Sequence, residues 1–500
     1  MNSHPHDNLP TALYSAQQVR DLDARLIAAG TPGFELMQRA AHAAWRALRR
    51  RWPDAARATV LAGHGNNAGD GYLIAALAQR AGWNVRVLAL GDPARLGGDA
   101  ASAHAEALAA GVPILPWHDH VELHGVLVDA LLGTGLGGEV REPYAEAIRR
   151  INDSGLPVLA VDIPSGLSAD TGQVLGVAVR ADLTVTFIGL KLGLFTADGA
   201  DHCGQLIFDD LDADPQQLPA SSQATRLAPV SLAKLAPRAK AAHKGLFGHV
   251  LVLGGEHGMG GAALLAGESA LRCGAGLVSL VTRREHVPAA LARRPELMTH
   301  GVSSSAEVLR AAERASVLVV GPGIGRNAWG RCLLSAAASL ALPQVWDADA
   351  LNLLAEGQVR RPSGELLITP HPAEAARLLG CSTAQVQADR PAAARELSRR
   401  YNAVAVLKGV GSLVAAPDGR LALCSHGHPA MAGAGLGDVL SGIVGALLAQ
   451  GMDAFDAACL AVWLHARAGE TLGAEGRGLA ASDLSSAVRQ LLEEISPCLN

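Results

Sequence analysis

Hydrophobic and polar residues alternate between residues 59 and 187 in blocks whose period changes from that of a strand to that of a helix and back. Short apolar runs are typical of buried strands, and the longer periodic segments between them are typical of helices. The alternation predicts a parallel, doubly wound sheet. An Ala- and Arg-rich segment, 13–51, precedes it and is predicted to be helical. The predicted strands are 59–62, 85–90, 126–129, 158–161 and 183–187, and the predicted helices are 69–79, 99–109 and 144–151.

A second α/β alternation follows a polar segment, 209–231, that contains Pro and Ser and is typical of a linker. A hairpin with a Pro-Asp-Gly turn at 417–419 closes this second pattern. We therefore expect two α/β domains, 1–222 and 223–500, the first with a doubly wound parallel sheet. The predicted strands of the second domain are 249–253, 277–281, 317–320, 345–346, 366–368 and 404–407, followed by the hairpin 412–423.

Composition argues against several classes of function and leaves an enzyme of small molecules as the expectation. A chain of 500 residues is too long for one core. The net charge of −5 and the 3% of aromatic residues argue against nucleic-acid binding. The seven cysteines form no C-x-x-C pair, which suits a reducing compartment. No signal peptide or membrane-spanning segment is predicted, so we expect a cytoplasmic enzyme of small molecules, without a membrane partner, in a homo-oligomer of unspecified order.

The most informative stretch is residues 431–442, in which Gly433, Gly435 and Gly437 are followed by Asp438 and an apolar helix pattern. Glycines allow a tight turn, and the free amides of the following helix form an anion site. Asp438 would be held beside that site. A carboxylate in this position can take a proton from a hydroxyl while the amides stabilise a phosphoryl group. The alternative is that Asp438 only caps the helix.

Three glycine turns follow strands of the first domain, at 63–71, 129–139 and 162–167. Each one alone is explained by helix capping, but three at the carboxyl ends of parallel strands indicate one shared site. The spacing of the first turn differs from the dinucleotide fingerprint G-x-G-x-x-G. Its two adjacent asparagines supply hard, neutral oxygens that suit a weakly held cation.

These three motifs resemble the NAD(P)H-hydrate epimerase family, whose domain is Rossmann-like. The resemblance implies K⁺ bound by Asn67, Asp129 and Ser165, and it implies that Asp162 contacts the substrate. Asp162 is also our candidate for proton transfer, and Lys191 lies in a segment similar to the family's. Ala68 stands where the family usually has Gly. The implied substrate contacts are Asn66, Asn67, Ala68, Gly69, Asp70, Gly133, Thr134, Gly135, Leu136, Gly137, Gly138, Glu139 and Asp162.

The second domain carries its own ordered set of motifs, among them 321–325, 369–374 and 408–412, ending in the glycine–Asp stretch. No P-loop signature occurs. The set resembles the ADP- or ATP-dependent NAD(P)H-hydrate dehydratase family, which has a ribokinase-like fold. By this resemblance the hydrated substrate contacts Ala262, Gly323, His371 and Asp438, and the adenine nucleotide contacts Lys408, Gly409, Val410, Gly411, Ser412 and Gly437.

The implied chemistry is the repair of NADH or NADPH that has gained water. Phosphorylation of the added hydroxyl by ADP, with Mg²⁺ screening the nucleotide phosphates, would make a leaving group, and the first domain would interconvert the R and S epimers. ADP is preferred to ATP by analogy alone. Two alternatives remain open: a ribokinase-like small-molecule kinase fused to a nucleotide-binding Rossmann-like module, and a non-catalytic nucleotide sensor in the first domain.

Overall fold

The strands predicted between residues 59 and 187 lie in one seven-stranded parallel sheet in the computed structural model, which describes residues 7–213 and 222–499. Contacts divide the chain into two units, with the boundary between Thr225 and Arg226. In chain order the first unit contains β1 (Ala12–Tyr14), α1 (Ala16–Ala28), α2 (Gly33–Arg51), β2 (Arg57–Ala62), α3 (Asn66–Arg80), β3 (Asn84–Ala89), α4 (Gly98–Ala109), β4 (Ile114–Pro116), β5 (Val126–Ala130), α5 (Tyr144–Asp153), β6 (Val158–Val161), β7 (Leu183–Phe187), β8 (Leu190–Lys191), α6 (Gly199–His202) and β9 (Gln205–Asp209), and β10 (Ala224–Arg226) crosses the boundary.

The sheet of the first unit has the order β4-β3-β2-β5-β6-β7-β9, so the doubly wound architecture is confirmed. The strand order reverses between β2 and β5, which pair in parallel. Loops diverge at such a reversal and leave a crevice at the carboxyl ends of the strands. The glycine turns that follow β2 and β5 therefore border the same crevice.

The second unit also has a largely parallel sheet, with β13-β12-β11-β14-β15-β16-β17 parallel and β18 and β19 antiparallel at one edge. Its reversal lies between β11 and β14. Its elements are β11 (His249–Leu253), α7 (Gly260–Arg272), β12 (Leu277–Thr282), α8 (Val287–Arg293), β13 (Met298–Gly301), α9 (Ser305–Ala312), β14 (Val317–Val320), α10 (Ala328–Ala338), β15 (Gln344–Trp346), α11 (Asp349–Ala355), β16 (Leu366–Ile368), α12 (Pro372–Leu379), α13 (Thr383–Ala388), α14 (Arg390–Tyr401), β17 (Val404–Leu407), β18 (Ser412–Ala415), β19 (Leu421–Cys424), α15 (Leu436–Ala449), α16 (Ala454–Gly473) and α17 (Leu484–Ile495).

The helical prediction for 13–51 is confirmed by α1 and α2, although the segment starts within the short strand β1. The predicted linker, 209–231, includes β10, whose Arg226 is fully buried, while its residues 214–221 lie outside the described residues. Both strands are short and pair through their backbones, β1 with β8 and with β10, so composition gives little sign of them.

No helix in the ranges 7–213 and 222–499 is long and apolar enough to cross a membrane.

Helix α15 packs closely on α7, and Gly442 sets their separation. A Cβ at Gly442 would overlap the hydroxyl of Ser269 and the backbone carbonyl of Ala266. Ser269 is fully buried and donates to the carbonyls of Ala266 and Val439, at 3.0 Å in each case. The catalytic candidate Asp438 lies one turn before Gly442, so this contact fixes the start of α15 relative to the sheet.

Gly442→Ala should therefore destabilise the second unit by about 1–3 kcal/mol, the usual cost of overpacking a filled core. The measurement is differential scanning calorimetry of the full chain. Gly261→Ala is the matched control, because Gly261 also lies in a helix of this unit but has open space where a Cβ would go. A Gly442→Ala transition at the wild-type temperature would contradict the close packing.

Candidate functional site

Most of the predicted residues of the first unit converge on one cavity of about 570 Å³ at the crevice between β2 and β5. Its walls come from the start of α3, the loop after β5, and the helices α1 and α2. This position is where open α/β sheets bind ligands. The predicted residues that line it are Asn66, Asn67, Asp70, Gly133, Thr134, Gly135, Leu136, Gly137 and Asp162.

Four predicted contacts, Ala68, Gly69, Gly138 and Glu139, are not among the residues that line the cavity. Ala68 is completely buried. A Cβ on Gly69 would lie 2.5 Å from the sulfur of Met37, so this glycine lets α3 approach α2. The glycine pattern at 63–71 therefore serves helix packing as well as the turn.

Asp162 follows β6 in a left-handed conformation, with φ of 66°. This conformation is uncommon for a residue with a side chain and is concentrated at functional sites. The carboxylate accepts from the amide of Phe187 at 3.2 Å and from the hydroxyl of Thr186 at 3.3 Å. It also forms a short ion pair with Lys191, whose side chain is completely buried. The strained turn thus places a charged pair at the cavity wall.

Two more carboxyl groups line the cavity near this pair. Asp70 comes from α3, and burial, followed by the negative charge of Asp162, raises its pKa well above the usual value. Asp23 comes from α1, and the same two causes in the same order raise its pKa to about 6. Asp23 was not predicted as a site residue: no glycine turn or strand end marks it in the sequence. Its one sequence signal is its helical spacing from Val19, Leu22 and Leu26, which are buried on α1, so Asp23 is expected near the buried face of that helix.

The predicted K⁺ ligands are linked through Leu132, because Asn67 donates to the Leu132 carbonyl at 3.3 Å and the Leu132 amide donates to the hydroxyl of Ser165 at 2.8 Å. Asp129 is fully buried and accepts from the hydroxyl of Ser165 at 2.6 Å and its amide at 2.8 Å. The Oδ1 atom of Asn67 is buried and has no hydrogen-bond partner among residues 7–213 and 222–499. Burial raises the pKa of Asp129 to about 6, and no cation in the described chain pairs with it. An orphaned amide oxygen beside a buried carboxylate fits a monovalent cation.

In the second unit, Asp438 lies in the first turn of α15, which begins at Leu436, two residues earlier than the apolar pattern after Asp438 indicates. Gly435 precedes the helix with φ of 84°, a conformation that glycine adopts without strain. At Gly437 a Cβ would lie 3.1 Å from the ammonium nitrogen of Lys408. Burial, and next the negative charge of Asp347, raise the pKa of Asp438 to about 7. A carboxyl group with such a pKa exchanges protons readily at neutral pH.

Asp347 at the end of β15 holds the lysine in this place. Its Oδ1 atom accepts from Lys408 at 2.8 Å, and its Oδ2 atom accepts from the hydroxyl of Ser441 at 2.8 Å. Burial alone would raise the pKa of Asp347, but Lys408 and Ser441 bring it below its usual value. Asp347 and Ser441 were not predicted as site residues. The end of the strand before Asp347 is recognisable in the sequence, whereas the pairing of Asp347 with Lys408, which follows β17, and with Ser441 on α15 is not.

Three further predicted residues border the same end of the sheet. Gly323 has φ of 59°, and its Cβ would lie 3.2 Å from the Cβ of Ala262, so these two positions adjoin. His371 caps α12, and its Nδ1 atom accepts from the amides of Ala373 and Glu374 at 3.1 and 3.4 Å. Burial, and next the charge of Lys408, lower the pKa of His371. This imidazole is therefore neutral at pH 7.

Arg390 stabilises the loop from Lys408 to Ser412 through hydrogen bonds to its backbone. This guanidinium is buried and donates to the carbonyls of Lys408 and Gly411 at 3.2 and 3.5 Å. Gly409 and Gly411 have positive φ, and Val410 is 55% exposed. The structure thus places the ammonium of Lys408 beside Asp347, while residues 409–412 form a separate turn next to it.

His465 is another residue that was not predicted. Its Nε2 atom lies 2.9 Å from the carbonyl of Leu436, the first residue of α15. Burial lowers the pKa of His465 to about 4, so the ring is neutral, and its Nε2–H must be the donor because a carbonyl only accepts. His465 on α16 therefore supports the turn that carries Asp438.

Comparison with known proteins gives two family matches. The model for NAD(P)H-hydrate dehydratase matches residues 250–490, and the model for the YjeF-related protein N-terminus matches residues 33–193. A bifunctional NAD(P)H-hydrate repair enzyme of Coxiella burnetii is 45% identical over 96% of this chain and 99% of its own length. The enzyme of the same name from Escherichia coli is 44% identical over 92% of this chain and 89% of its own length.

A solved structure supports the fold of the second unit. A ribokinase-like superfamily protein from Enterococcus faecalis superposes with a TM-score of 0.52 and 24% identity, covering 56% of this chain and 98% of that protein. This match concerns the fold alone.

The pair of Asp347 and Lys408 should behave as a buried ion pair. Asp347→Asn and Lys408→Met should each destabilise the second unit by roughly 3–5 kcal/mol, because each leaves a buried charge without its partner. The double variant should cost clearly less than the sum of the two. The measurement is chemical unfolding of the three variants, with Asp349→Asn as control, since Asp349 has no contact with Lys408. Additive effects would contradict direct coupling.

Proposed function

This chain belongs to the family of bifunctional NAD(P)H-hydrate repair enzymes, with epimerase and dehydratase activities, and from that premise we propose which residues perform each half of the repair. The dehydratase site is the start of α15 with Asp438, and the epimerase site is the cavity of the first unit with Asp162. The observation that supports this division most strongly is that each unit has its own carboxylate and lysine cluster at the carboxyl ends of its strands.

In the dehydratase site Asp438 removes the proton from the hydroxyl of the S hydrate. The hydroxyl oxygen then attacks the terminal phosphorus of ADP, and the bond from that phosphorus to the AMP oxygen breaks. The amides at the start of α15 stabilise the transferred phosphoryl group. Phosphate then leaves with the electron pair of its carbon–oxygen bond, the neighbouring ring carbon loses a proton, and NADH or NADPH results. The products are AMP and phosphate.

Mg²⁺ would neutralise phosphate charge in this site. Among residues 7–213 and 222–499 no three His, Cys, Asp or Glu side chains are grouped to hold a metal ion, so we expect the nucleotide phosphates to carry it. Lys408 is held by Asp347 next to Gly437, which suits contact with the nucleotide phosphates. The turn 409–412 remains our proposed contact for the rest of the nucleotide.

In the epimerase site the buried cluster of Asn67, Asp129 and Ser165 would hold K⁺, which would supply positive charge beneath the substrate loop. Asp162, paired with Lys191, lies at the cavity wall and takes part in proton transfer while the configuration at the hydroxyl-bearing carbon inverts. The residues at 66–70 and 133–139 would orient the hydrated dinucleotide.

A small-molecule kinase with the same Asp438 and glycine turn is the alternative for the second unit. A kinase would leave a stable phosphorylated product. A dehydratase leaves free phosphate and the absorbance of reduced nicotinamide, so incubation with hydrated NADPH and either ADP or ATP separates the two functions and identifies the nucleotide.

Asp438→Asn should nearly abolish dehydration while nucleotide binding is retained, because the amide cannot accept the proton and the phosphoryl-binding amides are unchanged. In the wild type the rate should rise with pH through about 7, where Asp438 becomes ionised. The measurement is reduced-nicotinamide absorbance across pH, with calorimetric binding of ADP. Activity within about tenfold of wild type, roughly 1.4 kcal/mol in the barrier, would remove Asp438 from the role of base.

Epimerisation should require a monovalent cation. Replacing K⁺ exhaustively with a bulky organic cation should stop interconversion of the R and S hydrates, because the Asn67 oxygen and the Asp129 carboxylate would lose their counter-charge. Chiral chromatography of a pure R sample gives the rate, and restoring K⁺ is the control. Unchanged epimerisation in the organic cation would exclude the cation site from the reaction.

A variant that inactivates one site should leave the other site active on a racemic hydrate, since each unit has its own set of residues. Wild type with ADP and Mg²⁺ should convert the whole racemate. Asp162→Asn should consume about half of it rapidly and then slow to the spontaneous epimerisation rate, an expectation from stereospecific positioning. Asp438→Asn should consume almost nothing yet still equilibrate a pure R sample.

Absorbance over time and chromatography of the remainder provide the measurement. A single fast phase to completion with Asp162→Asn would show either that Asp162 is not the epimerising residue or that the second site accepts both epimers. The pure R sample incubated with the same variant decides between these two explanations.

A further inference from the structure

The cavity of the first unit contains more carboxyl groups than its one lysine can pair. The three N–H donors of Lys191 have three acceptors: the Asp162 carboxylate, the Thr186 hydroxyl at 3.0 Å and the Phe187 carbonyl at 3.1 Å. An ammonium group has no further donor to give. Asp23 and Asp70 therefore receive no hydrogen bond from Lys191, although both line the same cavity.

Asp23 and Asp70 both lack the protein partner that Asp162 has. Neither carboxyl group makes a side-chain hydrogen bond or an ion pair within residues 7–213 and 222–499, and Asp23 is only partly exposed. It lies on α1, whereas Asp162 follows β6 and Asp70 lies on α3. The helix α1 precedes residues 33–193, which match the N-terminal family model. A carboxyl group that lines a ligand cavity with no protein partner is available to the ligand.

The charges around Asp23 come from several elements. Asp162 raises its pKa and Lys191 lowers it, in addition to burial, the largest cause. Asp70 on α3 interacts with it as a like charge. Arg20 on its own helix also lines the cavity, where it donates to the carbonyl of Thr134 at 3.3 Å. Asp99 on α4 lines the same cavity, so Lys191 and Arg20 lie among four carboxyl groups. Burial, more than any neighbouring charge, raises the pKa of Asp23 to about 6 and the pKa of Asp70 well above its usual value.

Epimerisation requires two proton transfers, each on an oxygen or nitrogen atom bonded to the hydroxyl-bearing carbon. If water leaves, an acid protonates the hydroxyl, the carbon–oxygen bond breaks with its electron pair going to the oxygen, and the ring nitrogen lone pair forms a C=N⁺ bond. Water then adds to the opposite face and gives a proton to a base. If the ring opens instead, a base takes the hydroxyl proton, the carbon–nitrogen bond breaks towards nitrogen, and an acid protonates it. Either route uses one acid and one base.

We propose that Asp23 is the second proton-transfer residue of the epimerase, acting together with Asp162. This inference rests on the epimerase function of the first unit. Asp162 is ion-paired with Lys191, while Asp23 faces the cavity without a protein partner, so the two carboxyl groups differ in environment as an acid and a base must. Their roles exchange when the reaction runs in the opposite direction.

The test compares Asp23→Asn with Asp21→Asn. Asp21 lies on the same helix but is exposed, and within the described ranges its carboxylate accepts a hydrogen bond only from Gln17, at 2.8 Å, so it is outside the catalytic machinery. Epimerisation of a pure R hydrate is followed by chiral chromatography from pH 5 to 9, together with ADP-dependent dehydration of the S hydrate. Asp23→Asn should lower kcat/KM for epimerisation by at least about a hundredfold, the usual contribution of general acid–base catalysis.

The pH profile is the readout that a purely structural role would not move. The wild-type and Asp21→Asn profiles should have an inflection near pH 6, from the pKa of Asp23 in the free enzyme, and Asp23→Asn should lose it. Dehydration of the S hydrate should be the same in all three proteins, which shows that the second unit is intact.

Retention of epimerisation within threefold of wild type, or of the inflection near pH 6, in Asp23→Asn would overturn the proposal. If that variant is unfolded at the assay temperature, Asp23→Glu decides: a displaced inflection supports the role, and an unmoved inflection contradicts it. A wild-type chain that dehydrates the S hydrate but does not interconvert the epimers would overturn the epimerase function itself, and the role of Asp23 with it.

Discussion

Each of the two sites contains a lysine that neutralises one carboxylate and leaves other carboxyl groups without a partner. In the first unit Lys191 pairs with Asp162, and in the second unit Lys408 pairs with Asp347. Burying a charge costs desolvation free energy, and the cost is larger when the charge has no partner. Each ion pair therefore offsets part of the cost of burying its own carboxylate. The remaining carboxyl groups respond by holding protons: the pKa is about 6 for Asp23 and about 7 for Asp438. Burial is the largest cause of both raised pKa values, and the negative charge of the paired carboxylate adds to it, so both groups exchange protons near neutral pH.

The fold brings these groups together by placing them at the carboxyl ends of parallel strands. Turns meet there from strands distant in sequence, and each turn brings a polar side chain to the same crevice. Close approach needs small residues, and Gly437 shows this directly, since a side chain there would contact the ammonium of Lys408. In the second unit the separation of α7 and α15, set by Gly442, then fixes Asp438 beside the lysine.

The sequence predicts the parts that rest on local patterns. The strands β2, β5 and β6 and the turns after them are recognisable from apolar runs and glycines, and so are Asp162, Asp129 and Asp438. Asp23 and Asp347 were missed for a different reason. Asp23 is one of two acidic residues on a polar helix, and Asp347 acquires its role only from Lys408 and Ser441, which lie 61 and 94 residues away. Such pairings are products of tertiary structure and leave no periodic signal.

The central claim, that carboxyl groups in excess of lysine hold protons near neutral pH, is tested most directly by carbon NMR of the side-chain carboxyl groups in protein labelled at aspartate. The signals missing from Asp23→Asn and Asp438→Asn assign the two residues. The account predicts that Asp23 titrates near pH 6 and Asp438 near pH 7. Titration of both groups at about pH 4, the value of an unperturbed aspartate, would contradict it.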